Sequence, residues 1–261
     1  MIAQLTQSVP ALERALTILE MLANSRTGLT LPDIVRQSGL PKSSVHCLLL
    51  TLQRRGYLHR NEKTSRYMFG LKLFSLANTA ISGLKLREEA APFLRSLVEK
   101  TGLTVHMAIL EQDEAVLISK VEPPETSRLA TWLGKRMDVH CTGLGKALIA
   151  QLPQEELSRL IGAHGLPRHN ENTVASIKKL RENLAQVVRL GYSIDDEEDE
   201  IGLRCIGAPV FNHDAVAIAA VSIAGTIEQV TANNLPMLAE NVKQTAASIS
   251  RVLGYCPGGA V

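Results

Sequence analysis

The sequence predicts an α+β protein of two unlike modules, a small helical one at the N-terminus and a larger mixed one after it. Three observations predict this. The 261 residues exceed the roughly 100–200 of an average domain. Apolar residues recur mostly at helical spacing up to about residue 100 and then, from residue 104, shift to strand-like runs joined by polar turns. The charge is also divided. Residues 1–75 hold 10 Lys+Arg and 4 Asp+Glu, a balance of +6, whereas residues 76–261 hold 18 and 22, a balance of −4.

Composition narrows the class further. Hydrophobic residues at 45% and charged residues at 21% are ordinary for a globular protein, which excludes intrinsic disorder and collagen. No stretch approaches the roughly 18 apolar residues of a membrane span, and the N-terminus shows no signal-peptide pattern. Aromatic residues are only 3%, so Leu, Ile, Val and Ala must build the core. Cys47, Cys141, Cys205 and Cys256 are far apart and form no CxxC pair, so reduced thiols and a cytoplasmic location are expected.

The first helix is expected over Ser8–Asn24, with Ser8 as cap and Leu12, Ala15, Leu16, Leu19 and Leu22 as its apolar stripe. A short helix follows within Leu29–Ser38, capped by Thr30 and closed by Gly39 in a left-handed conformation. Pro41 opens the next helix, which runs to Gly56 with Val45, Leu48, Leu49 and Leu52 inward. Two short helices joined by a tight turn make a helix-turn-helix. Tyr57–Arg60 and Tyr67–Phe69, around a polar turn, add the hairpin of a winged helix.

In such a module the N-terminal half of the second helix enters the DNA major groove. Here that end carries Lys42, Ser43, Ser44 and His46. Thr30 and Pro41 stand at the starts of the two helices, and Arg54, Arg55 and Arg66 are placed to flank the duplex backbone. Taken singly, each residue has an ordinary role: serines favour helix starts, and arginines suit a solvated helix end. Helix order, turn glycine, wing and a +6 balance together point to double-stranded DNA. A winged helix that contacts only protein is the alternative.

Leu71–Leu86 continues apolar at helical spacing through Leu73, Leu76, Ala77, Ala80 and Ile81, and reads as a connecting helix packed on a partner chain. The expected divisions are 1–75 for the winged helix, 76–90 for the connector and 91–261 for the larger domain. In the latter, Glu88–Lys100 reads as a helix, and Thr104–Leu110 with Ala115–Val121 as a hairpin. Arg128–Leu133 is a further strand, followed by helices over Gly143–Leu152, Gln154–Ile161 and Thr173–Leu190. Tyr192–Asp195, Leu203–Phe211 and Val216–Ala224 read as strands, and Thr231–Leu253 as a final helix. Hairpins mixed with helices favour α+β over a doubly wound sheet.

No phosphate loop, HExxH, nucleophile elbow or calcium loop occurs in this larger module. No catalytic residue, metal site or cofactor is expected. The candidate pocket has three parts: Gly143 and Leu144 in HCTGLGKAL, Asp195 with Cys205 around an acidic run, and Ser222 on a neighbouring strand. Each has a plainer role as well, since glycines cap helices and a lone cysteine is usually a small buried hydrophobe.

ALERALTILEML, LTLPDIVRQSGLPKSSVHCLLLTLQRRGYL and YMFGLKLFSL resemble the N-terminal domain of the IclR family of bacterial transcription regulators. HCTGLGKALIA and GYSIDDEEDEIGLRCIGAPVF followed by AVAIAAVSIAG resemble its effector-binding domain. The resemblance runs from Val9 to Tyr255. It implies a GAF-like effector domain that binds small organic acids or aromatic compounds and thereby alters DNA affinity. It implies a dimer, or a dimer of dimers, on a palindromic operator. By motif, Gly143 and Leu144 would offer backbone amides, and Asp195, Cys205 and Ser222 polar contacts. Met107 and Trp132 are candidates for an apolar wall, with core or interface the equal alternative for Trp132. Two departures stand out. Cys47 replaces a common Arg, and a thiol makes no bidentate contact to guanine. Ala224 replaces a second serine of some glyoxylate-binding members, which argues against a very small, highly polar ligand.

The leading expectation is a ligand-responsive regulator of a catabolic operon, not an enzyme. The alternative is an enzyme working through Cys205, or through His140 and Cys141, with an appended DNA-binding module. A catalytic cysteine needs a base and a lowered pKa, and the sequence shows neither. A metal sensor using His106, His140, Cys141 and Asp195 is a third reading, weakened by irregular spacing.

Overall fold

The structure is a computed structural model that describes residues 9–25, 27–82, 85–124 and 129–256, with side chains of the connecting helix described through residue 76. The chain divides into two compact units, residues 1–83 and 84–261. The expected cap Ser8, the connector residues Ala77, Ala80 and Ile81, and Arg128 lie outside the described side chains.

The first unit runs α1 (Pro10–Ala23), β1 (Leu29–Thr30), α2 (Leu31–Ser38), α3 (Lys42–Arg54), β2 (Leu58–Arg60), β3 (Arg66–Phe69) and α4 (Leu71–Ser82). Its sheet has the order β1-β3-β2 and is antiparallel, so the wing carries a short extra strand that the sequence pattern did not reveal. Gly39 turns the chain between α2 and α3 at φ 67°, a left-handed conformation that favours glycine. Ile18, Leu22, Ile34, Val45, Leu49, Leu58 and Tyr67 form the core. The stripe expected on α1 is therefore rotated. Ile18 is fully buried, while Leu12 and Leu16 are 58% and 45% exposed. α1 packs on α2, α3 and β3, and among the described residues Leu12 and Leu16 in its N-terminal half stay open.

The second unit runs α5 (Lys85–Thr101), β4 (Thr104–Glu111), β5 (Glu114–Val121), β6 (Arg136–Met137), α6 (Gly143–Ile149), α7 (Gln154–His164), α8 (Ile177–Leu190), β7 (Ser193–Asp196), β8 (Leu203–Phe211), β9 (Ala217–Thr226) and α9 (Leu235–Val252). Its antiparallel sheet has the order β6-β5-β4-β9-β8-β7. Strand alternation separates two cores. Val105, Met107, Ile206, Ala208, Val221 and Ile223 face α5 and α9 in one. Ala108 and Ala220 join the core of α6, α7 and α8 on the other.

Two expectations change here. The strand expected over Arg128–Leu133 is absent from the described part of that segment, where Leu129–Leu133 is irregular. No ladder holds it; side chains do. Lys120 Nζ donates to the carbonyls of Leu129 and Thr131 at 3.1 and 3.0 Å, and ion-pairs with Glu122 at 2.9 Å. The single helix expected over Leu71–Leu86 is recorded as α4, and α5 opens the second unit three residues earlier than Glu88.

Candidate functional site

On α3, the exposed residues Lys42, Ser43, His46, Cys47, Leu50 and Arg54 recur at three- and four-residue spacing and share one face, opposite Val45 and Leu49. Pro41 is the N-cap and is exposed, Ser44 is half-buried, and Arg55 is exposed at the C-cap. Thr30 and Arg66 are engaged within the fold. Thr30 Oγ1 donates to Asp33 Oδ2 at 2.7 Å and accepts from the Asp33 amide at 3.3 Å, a capping box for α2. Arg66 Nη1 donates to the Gly28 carbonyl at 2.6 Å. Leu50 joins this face without a sequence signal, since it carries no polar group, and Cys47 occupies it where a common Arg is replaced.

In the second unit the sheet register builds a pocket. His106 pairs with Ser222, Ala224 with Cys205, and Cys205 with Asp195, so adjacent strands place all five on the α6 side of the sheet. Gly143 and Leu144 face them from α6, and Leu129, Thr131, Lys135, Met137, Asp199 and Leu203 complete the lining of a cavity of about 60 Å³. Five of the seven predicted effector residues thus come together: Gly143, Leu144, Asp195, Cys205 and Ser222. Met107 does not. It follows His106 on β4 and so points to the opposite face, where it is fully buried against α5 and α9. Trp132 does not either. It is 62% exposed, with Lys135 Nζ lying 5.5 Å from its ring centroid.

The close seating of α6 has a definite cause. Ser193 Oγ donates to the Gly143 carbonyl at 2.5 Å, and a Cβ on Gly207 would stand 2.4 Å from that same oxygen. Only glycine at 207 admits this approach. Thr142 caps the helix by accepting from the Gly145 amide at 3.0 Å. The amides of Gly143 and Leu144, at the first two positions, have no intrahelical acceptor.

Beneath the pocket, Lys146 Nζ donates to Glu198 Oε1 at 2.6 Å, with side chains only 1% and 9% exposed. Among the described residues, Glu198 Oε2 is buried without a partner. Burial raises the Glu198 carboxyl pKa although Lys146 opposes the shift. Asp195 Oδ1 accepts from the amides of Glu198 and Asp199 at 2.9 and 3.4 Å. Burial nevertheless pushes the Asp195 carboxyl up to about 7, with Lys146 pulling down and Glu198 pushing up. His106 Nε2 lies 2.9 Å from Thr131 Oγ1, and burial followed by Lys120 lowers its pKa to about 4, so the imidazole is neutral. Burial and the Asp195 carboxylate push the Cys205 thiol well up, and burial with nearby carboxylates does the same to Cys141. Both shifts oppose the thiolate a nucleophile needs. His106 and Asp195 share the pocket, while His140 Nε2 lies 2.9 Å from the Pro167 carbonyl, so the four-residue metal set read from the sequence does not assemble.

A helix-turn-helix module followed by a domain with a polar-floored pocket defines a two-module transcription regulator. The chain belongs to the IclR family: "Bacterial transcriptional regulator IclR C-terminal" matches residues 78–251, and "IclR helix-turn-helix domain" matches residues 11–62. It is similar to the HTH-type transcriptional regulator XynR of Escherichia coli K12, 36% identical over 247 residues that cover 95% of this chain and 98% of the relative. It is also similar to the transcriptional repressor IclR of that strain, 34% identical over 254 residues, 97% of this chain and 93% of the relative. A solved IclR homolog complexed with 4-hydroxybenzoate, from Microbacterium hydrocarbonoxydans, superposes with a TM-score of 0.82 at 26% identity, covering 93% of this chain and 98% of that one. The protein is a DNA-binding transcription regulator. Among the described residues, no helix is long and apolar enough to cross a membrane.

The Asp195 pKa generates a pH prediction. Its folded value of about 7 stands above the unperturbed 3.8, so the native state holds a proton that the unfolded chain releases. The stabilisation is complete below about pH 4 and is lost as pH rises through about 7, and Glu198 contributes in the same direction. Asp195→Asn keeps an acceptor for the two amides but cannot ionise. Its unfolding free energy should fall less than the wild type's between those pH values, measured by urea unfolding at a series of pH. An unchanged slope would show that Asp195 ionises freely in the folded protein.

Proposed function

We propose that this chain is an effector-controlled regulator of a catabolic operon, acting in the cytoplasm. In this reading α3 enters the major groove of a palindromic operator. Lys42 and Ser43 meet phosphate, His46 meets a base edge, and Arg54 and Arg55 flank the backbone. Pro41 and Ser44 shape the helix start, while Thr30 and Arg66 set the module's geometry. A two-fold operator calls for two copies of the chain, as a dimer or a dimer of dimers. Val9, Leu12 and Leu16 on one side, and Leu71 and Phe74 at 86% and 72% exposure on α4, supply apolar surface suited to a second copy.

The observation that carries the effector reading is the convergence of Gly143, Leu144, Asp195, Cys205 and Ser222 on one cavity. Lys135 adds a cation at its rim, and Leu129, Met137, Leu144, Leu203 and Ala224 supply apolar wall. A small organic acid with an apolar or aromatic body matches that lining. The carboxylate would meet the amides of Gly143 and Leu144 or the Lys135 ammonium, and a hydroxyl would meet Ser222 or Asp195. The relative complexed with 4-hydroxybenzoate supports this class. For the effector to control transcription it must bind two states of the protein with different affinity.

Two experiments test the proposal. A thermal-shift screen with small organic and aromatic acids, 4-hydroxybenzoate among them, should find acids that raise the melting temperature and change DNA affinity. Ser222→Ala and Asp195→Asn should weaken both effects. Stabilisation with no change in DNA binding would refute effector control. Separately, Lys42→Ala should weaken DNA binding across sequences and flatten the plot of log affinity against log salt by about 0.9. An unchanged slope would remove Lys42 from the phosphate contacts.

A further inference from the structure

Outside the pocket, another group of side chains converges that the proposed regulator does not use. Asp138 and Cys141 stand in the loop entering α6, and His169 stands in the connector from α7 to α8. One donor atom from each, a carboxylate oxygen, a sulfur and an imidazole nitrogen, lies within 4.8 Å of the other two. His169 Nε2 is 2.8 Å from Asp138 Oδ2. We propose that Asp138, Cys141 and His169 bind one divalent transition-metal ion of the zinc class, each giving one ligand atom and leaving a fourth position open.

The donor set selects the ion. Imidazole and thiolate suit zinc and its neighbours, whereas magnesium and calcium prefer oxygen alone. Ligand distances of about 2.0–2.3 Å in a tetrahedral site place donor atoms roughly 3.3–3.6 Å apart. The donor atoms, within 4.8 Å of one another, must therefore close by at most about 1.5 Å at the sulfur, while the His169–Asp138 contact at 2.8 Å opens by roughly 0.5–0.8 Å. The two segments that carry it are well braced. Thr142 Oγ1 donates to the Asp138 carbonyl at 2.7 Å, and the His169 amide donates to Thr173 Oγ1 at 3.1 Å. Thr173 Oγ1 in turn donates to the Glu198 carbonyl at 2.7 Å. The His140 and His169 rings lie close to parallel, with centroids 6.3 Å apart.

Charge and access agree with a cation. Asp199 and Asp138, the latter itself a ligand, place negative field at Cys141. Cys141 is fully buried and forms the floor, while Asp138 and His169 are about a third exposed and leave a way in. As the metal–sulfur bond forms, the Cys141 proton passes to solvent; His169 binds through a neutral ring nitrogen and Asp138 as a carboxylate. The ion would tie the loop before α6 to the α7–α8 connector and so stabilise the folded state.

The test is a titration of tag-free, metal-stripped full-length protein with Co²⁺, read by absorbance. One Co²⁺ per chain should bind with a thiolate-to-cobalt charge-transfer band. Cys141→Ser should abolish the band, and His169→Ala should weaken binding by about tenfold or more. Cys47→Ser and Cys256→Ser, at exposed positions, should leave both intact. His169 is on the surface, so its variant keeps the test decisive if Cys141→Ser does not fold. Absence of stoichiometric uptake, binding without the band, or binding that His169→Ala leaves unchanged would each overturn the proposal.

Discussion

The ion pair between Lys146 and Glu198 is the constraint on which the larger domain depends. It brings a lysine and a glutamate side chain into direct contact in the interior, one on α6 and one on the acidic segment after β7. Neither charge is tolerable there alone, because removing one partner strands the other away from water. The pair therefore fixes α6 against the acidic loop, and everything that lines the pocket from those two sides follows. Gly143 and Leu144 stand within the turn before Lys146, and Asp195 stands three residues before Glu198. The glycine at 207 and the Ser193 hydroxyl complete the seating by letting the start of α6 rest directly on the sheet.

The first unit was legible in the sequence nearly throughout, because its signals are local. Thr30, Gly39 and Pro41 punctuate the helices in a way that only backbone chemistry dictates. The α1 stripe was misread for a physical reason. Apolar spacing reports which residues avoid water, not whether the chain itself covers them, and Leu12 and Leu16 are left open here. Thr30 and Arg66 carry structural bonds that the sequence pattern did not reveal, to Asp33 and to the Gly28 carbonyl.

The pocket was legible only in part. Gly143, Asp195, Cys205 and Ser222 were found through motif resemblance, and the sheet register explains why they meet. Met107 was misplaced by one strand position, which is enough to send a side chain to the other face. His106, one residue earlier, was the better choice, and Lys135 was missed because a lone lysine before a two-residue strand gives no pattern. The Leu129–Leu133 lip is held by Lys120 and His106 side chains from distant strands, a tertiary cause that periodicity cannot register. Lys146 itself was read as part of a motif and not as a buried charge, since its partner lies 52 residues away.

The central claim is that the buried pair organises the effector domain, and urea unfolding of the wild type and two variants tests it most directly. Lys146→Met should lower its unfolding free energy by about 3–5 kcal/mol by leaving Glu198 buried and unpaired. Lys146→Met with Glu198→Leu should recover most of that loss, because an apolar pair carries no desolvation penalty. A single variant that unfolds within about 1 kcal/mol of the wild type would contradict the account, since that is the range of a solvated surface pair.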